Sequence, residues 1–341
     1  MSKEINRVAI VGCGNISGSI DDDAKKRHIY SHARAISEIK QLKLTACCDT
    51  DDARLKKFAE RWGIPGQYLD LSDMLQKEPI DILVVATPTK FHYENVILAL
   101  SSHVKVIFCE KPLTFELERG IEMAQRAEEA NKILLVNYMR RWDKFYAESR
   151  NILESGDLGT IETIVTYAGT SLYMSASHML DMIIYFGGDV SSCLGYIDRV
   201  NMARIVHGEK DFGGIALFKH KNGITSFLKA TGESRQHHFF EMDFQCTRGR
   251  LRMLDDDIKY EVYKFKESPQ RKELYELDLV CTKVNDNKSE RVVDAYLDIL
   301  DCMRKNEAPK FSVRDALKSL ELISLIYKSD AIGNQTVYSQ L

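Results

Sequence analysis

The stretch that decides the fold is Arg7-Val8-Ala9-Ile10-Val11-Gly12-Cys13-Gly14-Asn15-Ile16-Ser17-Gly18. Its four consecutive apolar residues, 8–11, read as a strand buried on both faces, and the glycines that follow allow a sharp turn. Such a turn lets the backbone approach a pyrophosphate, whose charge is stabilised by amide groups and the positive end of a following helix. Gly12, Gly14, Asn15 and Ile16 are therefore the candidate phosphate cradle. The spacing departs from the usual dinucleotide fingerprint, because Ser17 stands where a third glycine or alanine is expected and Gly18 follows it. Taken alone, the glycine pair is also compatible with a plain tight turn.

Outward from this turn, short apolar runs at 42–48, 82–86, 104–109 and 133–136 alternate with helical patterns at 51–62, 93–100 and 115–131, the last starting at Thr114. A short strand near Tyr68 completes a parallel sheet. Residues 1–140 thus read as a dinucleotide-binding βαβ domain, with the link to the next domain near 140–155. Residues 141–341 form a second α/β domain with a mainly antiparallel sheet, from strands at 162–168, 191–197, 214–218, 225–230, 239–246, 250–254, 260–265 and 274–280. One helix at 175–186 sits among them, Lys221-Asn222-Gly223 marks a turn, and helices at 290–305 and 313–329 close the chain, with a return to the first domain left open.

With 341 residues, 44% apolar and 28% charged, the chain has the composition of an ordinary globular protein of about two domains. A net charge of -3 gives no basic excess for a nucleic-acid backbone. Eight cysteines without a Cys-x-x-Cys pair or clustering with histidine suggest reduced thiols in a cytoplasmic protein without a metal site. No run of about 18 apolar residues calls for a membrane.

The second strand ends at Asp49, where a carboxylate can accept hydrogen bonds from adenosine ribose hydroxyls and repel a 2′-phosphate. This favours NAD, while Arg54 leaves NADP open and a solvated strand-end carboxylate is the plainer alternative. Asp49 lies farther from the glycines than the usual 20 or so residues. The extra length is 19–30, a segment rich in Asp21, Asp22, Asp23, Lys25, Lys26 and Arg27 that reads as a solvated surface loop or a cofactor lid.

Four further segments, Ala86-Thr87-Pro88-Thr89-Lys90-Phe91-His92, Glu110-Lys111-Pro112-Leu113, Asn137-Tyr138-Met139-Arg140-Arg141 and His178-Met179-Leu180-Asp181, stand in an order and separation that matter. With the glycine turn and Gly156-Asp157-Leu158-Gly159, nearly the whole chain resembles the glucose-fructose oxidoreductase / inositol dehydrogenase / rhizopine catabolism family. The resemblance implies a Rossmann domain, a second domain presenting an open sheet to substrate, and a homodimer or homotetramer built through that sheet. It also implies that Lys111 is the catalytic lysine beside the nicotinamide, that Glu110 and Lys111 stand with Thr87, Pro88 and His92 of the loop against the cofactor as cofactor-binding residues, and that His178 transfers a proton. Chemistry supports these roles: an ammonium stabilises a developing oxyanion, and an imidazole with an unperturbed pKa near 6.5 suits removal of a hydroxyl proton. Glu110 is expected to hold the preceding backbone or pair locally. His92 is otherwise a polar residue at a helix start.

Met174 departs from the family pattern, which has aspartate four residues before the histidine. A thioether transfers no proton. Tyr173 beside it could exchange one or simply form an apolar wall. Asp181 could orient His178 or contact substrate, or be a helix-surface carboxylate. Arg140 and Arg141 suit an anionic substrate, with surface or interdomain ion pairs as the alternative. Arg235, His237 and His238 lie between expected strands, and at most one of the two histidines can face a site. The expected activity is hydride transfer between a nicotinamide and a hydroxyl-bearing carbon of a sugar, cyclitol or nucleotide-linked sugar. Met174 keeps two alternatives in view: a catalytically silent dinucleotide-binding sensor or regulator, and an NAD-dependent glycosidase.

Overall fold

The computed structural model describes residues 5–23, 28–206, 209–230, 240–285, 290–305 and 307–341. The chain divides into two compact units, one of residues 1–143 with 288–317 and one of residues 144–287 with 318–341. Arg235, His237 and His238 lie outside the described residues.

In the first unit, β1 (Asn6–Val11), β2 (Leu42–Cys48), β3 (Gly66–Tyr68), β4 (Ile82–Val85), β5 (Val106–Cys109) and β6 (Ile133–Val136) form one parallel sheet in the order β3-β2-β1-β4-β5-β6. Every residue of β4 and β5 is buried, which is why their sequences are apolar without alternation. The helices between them are α1 (His32–Ser37), α2 (Asp52–Trp62), α3 (Leu71–Lys77), α4 (His92–Leu100) and α5 (Leu117–Glu129). The short α1 and α3 were not legible beforehand, since six or seven residues span less than two apolar repeats. Helix α5 starts three residues later than Thr114, and left-handed Asn131 ends it.

The segment expected as the link holds α6 (Lys144–Glu154), which buries Phe145, Tyr146, Ser149 and Leu153 along one side. In the second unit β7 (Ile161–Ala168) is followed by a π turn at Leu172–Ala176 and α7 (Ser177–Gly187). Then come β8 (Val190–Val206), β9 (Glu209–His220), β10 (Thr225–Ala230), β11 (Phe240–Cys246), β12 (Gly249–Leu254), β13 (Lys259–Glu267) and β14 (Tyr275–Val284). With β15 (Val337–Tyr338) they make a nine-stranded sheet in the order β14-β13-β12-β11-β7-β10-β9-β8-β15. Among the described residues of this unit only β7 and β10 pair in parallel. The two chain-closing helices are α8 (Arg291–Lys305) and α9 (Val313–Ala331).

Strand β8 continues well past the expected end at 197. Past that end, Asp198 Oδ1 accepts the backbone N–H groups of Val200 and Asn201 at 3.0 and 2.8 Å, across a shift in the β8–β9 register. The side chain thus satisfies the donors that the bulge removes from the ladder. The turn at Lys221-Asn222-Gly223 is present, with Gly223 at φ +93°. Strands β11 and β12 alternate buried and half-buried residues, so one face packs on the core with α7 and the other does not. Among the described residues no helix is long and apolar enough to cross a membrane.

Candidate active site

The first unit's site is built from one row of the sheet. Cys48, Val11, Val85, Cys109 and Val136 are mutual partners across β2, β1, β4, β5 and β6. The next residue on each strand is Asp49, Gly12, Ala86, Glu110 and Asn137, so the chemistry-bearing loops leave the same edge at the same level. The ladder continues one step into those loops, with Gly12, Ala86, Glu110 and Asn137 donating backbone N–H bonds of 2.8–2.9 Å to Cys48, Val11, Val85 and Cys109. The glycine turn follows β1 and the Thr87 loop follows β4, the neighbours between which the strand order reverses. Ligands of such sheets bind at that crevice.

The unusual glycine spacing now has a physical account. Gly12 has φ +90°, and a Cβ there would lie 2.6 Å from the Ala86 carbonyl oxygen. A Cβ on Gly14 would meet nothing within 4 Å, so the backbone at this point is open to an approaching group. Ser17 is buried and its hydroxyl donates to the Gly12 carbonyl, closing the turn on itself. Gly18 takes the close-packing role usually filled one residue earlier, since a Cβ there would lie 2.5 Å from Trp62 Nε1 and 2.6 Å from Phe58, both on α2. Asn15 is exposed and Ile16 half-buried. An open cradle of backbone amides fits the phosphates of a dinucleotide.

Asp49 is not a solvated strand end. Its Oδ2 accepts the Cys13 backbone N–H at 2.8 Å and lies 3.0 Å from Arg54 Nε, while Oδ1 accepts the Asp51 N–H at 2.9 Å. The carboxylate thereby ties the end of β2 to the glycine turn. The described ends of the 19–30 segment are also pinned: Asp21 accepts the N–H groups of Tyr30 and Ser31 at 2.8 and 2.9 Å, and Asp22 pairs with Arg61.

Thr87 and Pro88 are half-buried, and His92 behind them is buried. Its Nε2 lies 2.8 Å from the Thr87 carbonyl and its Nδ1 2.9 Å from the Pro112 carbonyl. His92 therefore links the loop after β4 to the loop after β5. Burial pushes its pKa below the ordinary histidine value, against the pull of these carbonyls and of Glu110. A neutral ring donates to one of the two loops only.

Lys111 is half-buried and joined to Pro112 by a cis bond. The carboxylate before it, Glu110, is buried, and Oε1 accepts from Asn137 Nδ2 at 2.7 Å and pairs with His32 Nε2 at 2.9 Å. Oε2 accepts the Lys111 backbone N–H at 3.3 Å. His32 Nδ1 in turn lies 2.9 Å from the hydroxyl of Tyr296 on α8. Burial opposes ionisation of Glu110, but the His32 and Asn137 hydrogen bonds and the Lys111 charge outweigh it and hold the carboxyl below its ordinary value. Sequence reading gave no role to His32, Asn137 or Tyr296. Asn137 falls within the segment 137–141 with no role of its own there, and nothing local marks His32 or Tyr296. Arg140 is buried, and the Arg141 guanidinium stands 4.6 Å from the centre of the Phe311 ring.

In the second unit His178 is the second residue of α7 and is buried. Asp181, one turn on, is fully buried and its Oδ1 accepts the Ser319 hydroxyl at 3.0 Å, so the helix-surface alternative falls. Met174 is 39% exposed. Its backbone N–H and that of Tyr173 donate to Asp211 at 2.9 and 3.0 Å. Asp211, a buried β9 carboxylate missed in the sequence, thus anchors the π turn that precedes α7. The Tyr173 ring stacks on Tyr327, 6.1 Å between centres, and burial and Asp211 push the Tyr327 phenol up to about 12.

Comparison with known proteins agrees with this architecture. Residues 6–138 match the oxidoreductase family's NAD-binding Rossmann fold, and residues 153–337 its C-terminal alpha/beta domain. The D-apiose dehydrogenase of Paraburkholderia graminis is 26% identical over 347 residues, covering 95% of this chain and 88% of that protein. The myo-inositol 2-dehydrogenase of Thermotoga maritima is 29% identical over 153 residues, 45% of this chain and 42% of that one. Among solved structures, a levoglucosan dehydrogenase bound to NADH and levoglucosan has the same fold, with a TM-score of 0.83 at 16% identity over 99% of this chain and all of that one. The WlbA dehydrogenase of Bordetella pertussis, in complex with NADH and UDP-GlcNAcA, matches with a TM-score of 0.77 at 21% identity, over 99% of this chain and all of that one. The chain therefore belongs to the glucose-fructose oxidoreductase / inositol dehydrogenase / rhizopine catabolism family of oxidoreductases, with NAD as its cofactor.

Proposed function

We propose that this enzyme oxidises, reversibly, a hydroxyl-bearing carbon of a sugar, cyclitol or nucleotide-linked sugar in the cytoplasm. The observation that carries the reading is the shared sheet edge from which the Gly12–Gly14 turn, the Thr87–Pro88 loop and Lys111 all leave. The names of its relatives, dehydrogenases of D-apiose and inositol, support the substrate class.

When bound, NAD supplies the two-electron acceptor. The open backbone at Gly14, with Asn15 and Ile16, would hold its phosphates, and Asp49 would accept hydrogen bonds from the adenosine ribose hydroxyls. Lys111 donates a hydrogen bond to the reacting oxygen and stabilises the charge on it as the hydroxyl becomes a carbonyl. His178 takes the hydroxyl proton, and Tyr173 lines the substrate beside it. Asp181 supports His178 from inside α7, while Arg140 and Arg141 suit a substrate carrying negative charge. Arg235 and His237 belong to the same reading as substrate contacts.

On the second sheet Leu194, Leu217, Phe227 and Val165 stand side by side in register on the face turned away from the core. This apolar row supports a homodimer or homotetramer formed through the sheet.

The test is NAD-linked oxidation across a panel of aldoses, cyclitols, polyols and nucleotide sugars. With any substrate found, Lys111→Ala and His178→Ala each lower turnover by about 10² to 10⁴ while NAD still binds. Full activity in both variants would overturn the assignment.

A further inference from the structure

The buried polar groups behind Lys111 form a chain with one direction. Glu110 is ionised and only accepts, so each neighbour within reach must turn a donor toward it. Asn137 Nδ2 and the Lys111 backbone N–H do so, at 2.7 and 3.3 Å. His32 Nε2, at 2.9 Å, is the third donor. A neutral His32 that donates from Nε2 has its lone pair on Nδ1, where it can accept only from the Tyr296 hydroxyl at 2.9 Å. Tyr296 is fully buried, so its O–H needs such a partner. Hydroxyl, imidazole and carboxylate therefore point one way, from α8 through α1 to the end of β5, and the network assigns the tautomer.

The cage around this chain is built. His32 is fully buried, set edge-on against Phe108 and Tyr296 with ring centres 5.3 and 5.9 Å away. These contacts leave the imidazole no room to swing away from Glu110. The other titratable groups near Glu110 are Cys109, whose thiol burial and Glu110 push well up, and His92, which Glu110 favours in its charged form. Tyr296 too is held well above its ordinary value, by burial first and Glu110 second. Neither thiol nor phenol competes for the negative charge, which stays on Glu110.

We infer that Glu110, His32 and Tyr296 are positioning residues for Lys111: the chain fixes a buried negative charge one residue from the lysine, which holds its ammonium charged and its backbone in place for the reacting oxygen. The inference rests on the catalytic role proposed for Lys111, and its test does not need the substrate. The lysines of the full-length protein, free of NAD, are dimethylated with ¹³C-formaldehyde, and the Lys111 resonance is assigned by its loss in Lys111→Arg. Its titration is then followed in wild type, Glu110→Gln, His32→Leu, His32→Gln and Asn137→Ser.

A lost neighbouring negative charge disfavours the ammonium. The Lys111 midpoint therefore moves to lower pH in Glu110→Gln, and in the same direction in His32→Leu. His32→Gln, whose amide can donate from near the Nε2 position, restores most of the wild-type titration, a rescue that simple cavity filling would not produce. If the larger changes unfold the protein, Asn137→Ser decides, since it withdraws one of the donors that keep Glu110 ionised and so moves the Lys111 midpoint to lower pH as well. An unchanged midpoint in folded Glu110→Gln, or in Asn137→Ser where that variant decides, overturns the inference. If Lys111→Ala keeps full turnover while the midpoints shift as stated, the electrostatic coupling stands and the catalytic assignment of Lys111 fails instead.

Discussion

The Asp49 carboxylate accepts the backbone N–H of Cys13 at 2.8 Å, binding the end of the second strand to the turn that cradles the cofactor. A residue expected to recognise ribose is thus also part of the frame of the phosphate site. Asp49→Ala leaves the Cys13 and Asp51 donors without their acceptor, at a cost of about 1–3 kcal/mol for each that stays dry. Both the melting temperature and NAD affinity should fall. Asp49→Asn keeps an acceptor for Cys13 and should lose less stability, which differential denaturation with and without NAD would show. Equal losses in the two variants would contradict the framing role.

Two glycines four residues apart should respond in opposite ways. At Gly18 an added methyl meets Trp62 Nε1 at 2.5 Å, so Gly18→Ala should destabilise the protein by about 1–3 kcal/mol through overpacking. At Gly14 an added methyl meets no protein atom within 4 Å. Gly14→Ala should melt like wild type yet bind NAD at least about tenfold more weakly, a loss of ~1.4 kcal/mol. Calorimetric titration with NAD checks this, and wild-type affinity in Gly14→Ala would remove the cradle from that position.

Glu110 gives the first unit an acid sensitivity whose sign follows from its hydrogen bonds. Its folded pKa lies below the ordinary carboxyl value of 4.5, so its contribution is fully present above that value. The contribution is lost as pH falls through the depressed folded value, where the unfolded chain has already bound the proton. Glu110→Gln should therefore show a shallower loss of unfolding free energy than wild type on acidification below about pH 4.5. Urea denaturation at a series of pH values measures it, and parallel curves would mean that Glu110 is protonated in the native state.

Asp211 anchors the turn ahead of His178 by accepting two consecutive backbone N–H groups. Asp211→Ala should cost about 1–3 kcal/mol and lower turnover with little change in NAD affinity, because the damage stays in the second unit. Asp211→Asn, which keeps one acceptor oxygen, should fall between. Turnover equal to wild type in Asp211→Ala would separate the turn from catalysis.

The order of strands and most helices was legible because apolar periodicity is a local property: a strand buried on both faces must be apolar wherever it ends up, as β4 and β5 are. The glycine turn, the Lys221-Asn222-Gly223 hairpin and the stop at Asn131 were legible for the same reason, since the backbone conformation each needs is written in its own residues. Helix α6 lies where the sequence reads as a link between domains, although Phe145, Tyr146, Ser149 and Leu153 have the spacing of one helix face.

Partnership between buried polar groups was not legible. His32 lies 78 residues from Glu110 and 264 from Tyr296, and no spacing in the sequence predicts either contact. The fold decides which donor reaches a buried acceptor, because any donor that arrives satisfies it equally well. The same holds for Ser17 and Gly18, whose order breaks the expected fingerprint until the Gly12 carbonyl and the Trp62 ring are in place. By itself the sequence determined the Rossmann frame, the open turn and the family. Only the tertiary structure decided what stands behind Lys111 and what anchors the turn before His178, since hydrogen bonds and close packing join residues that the chain keeps far apart.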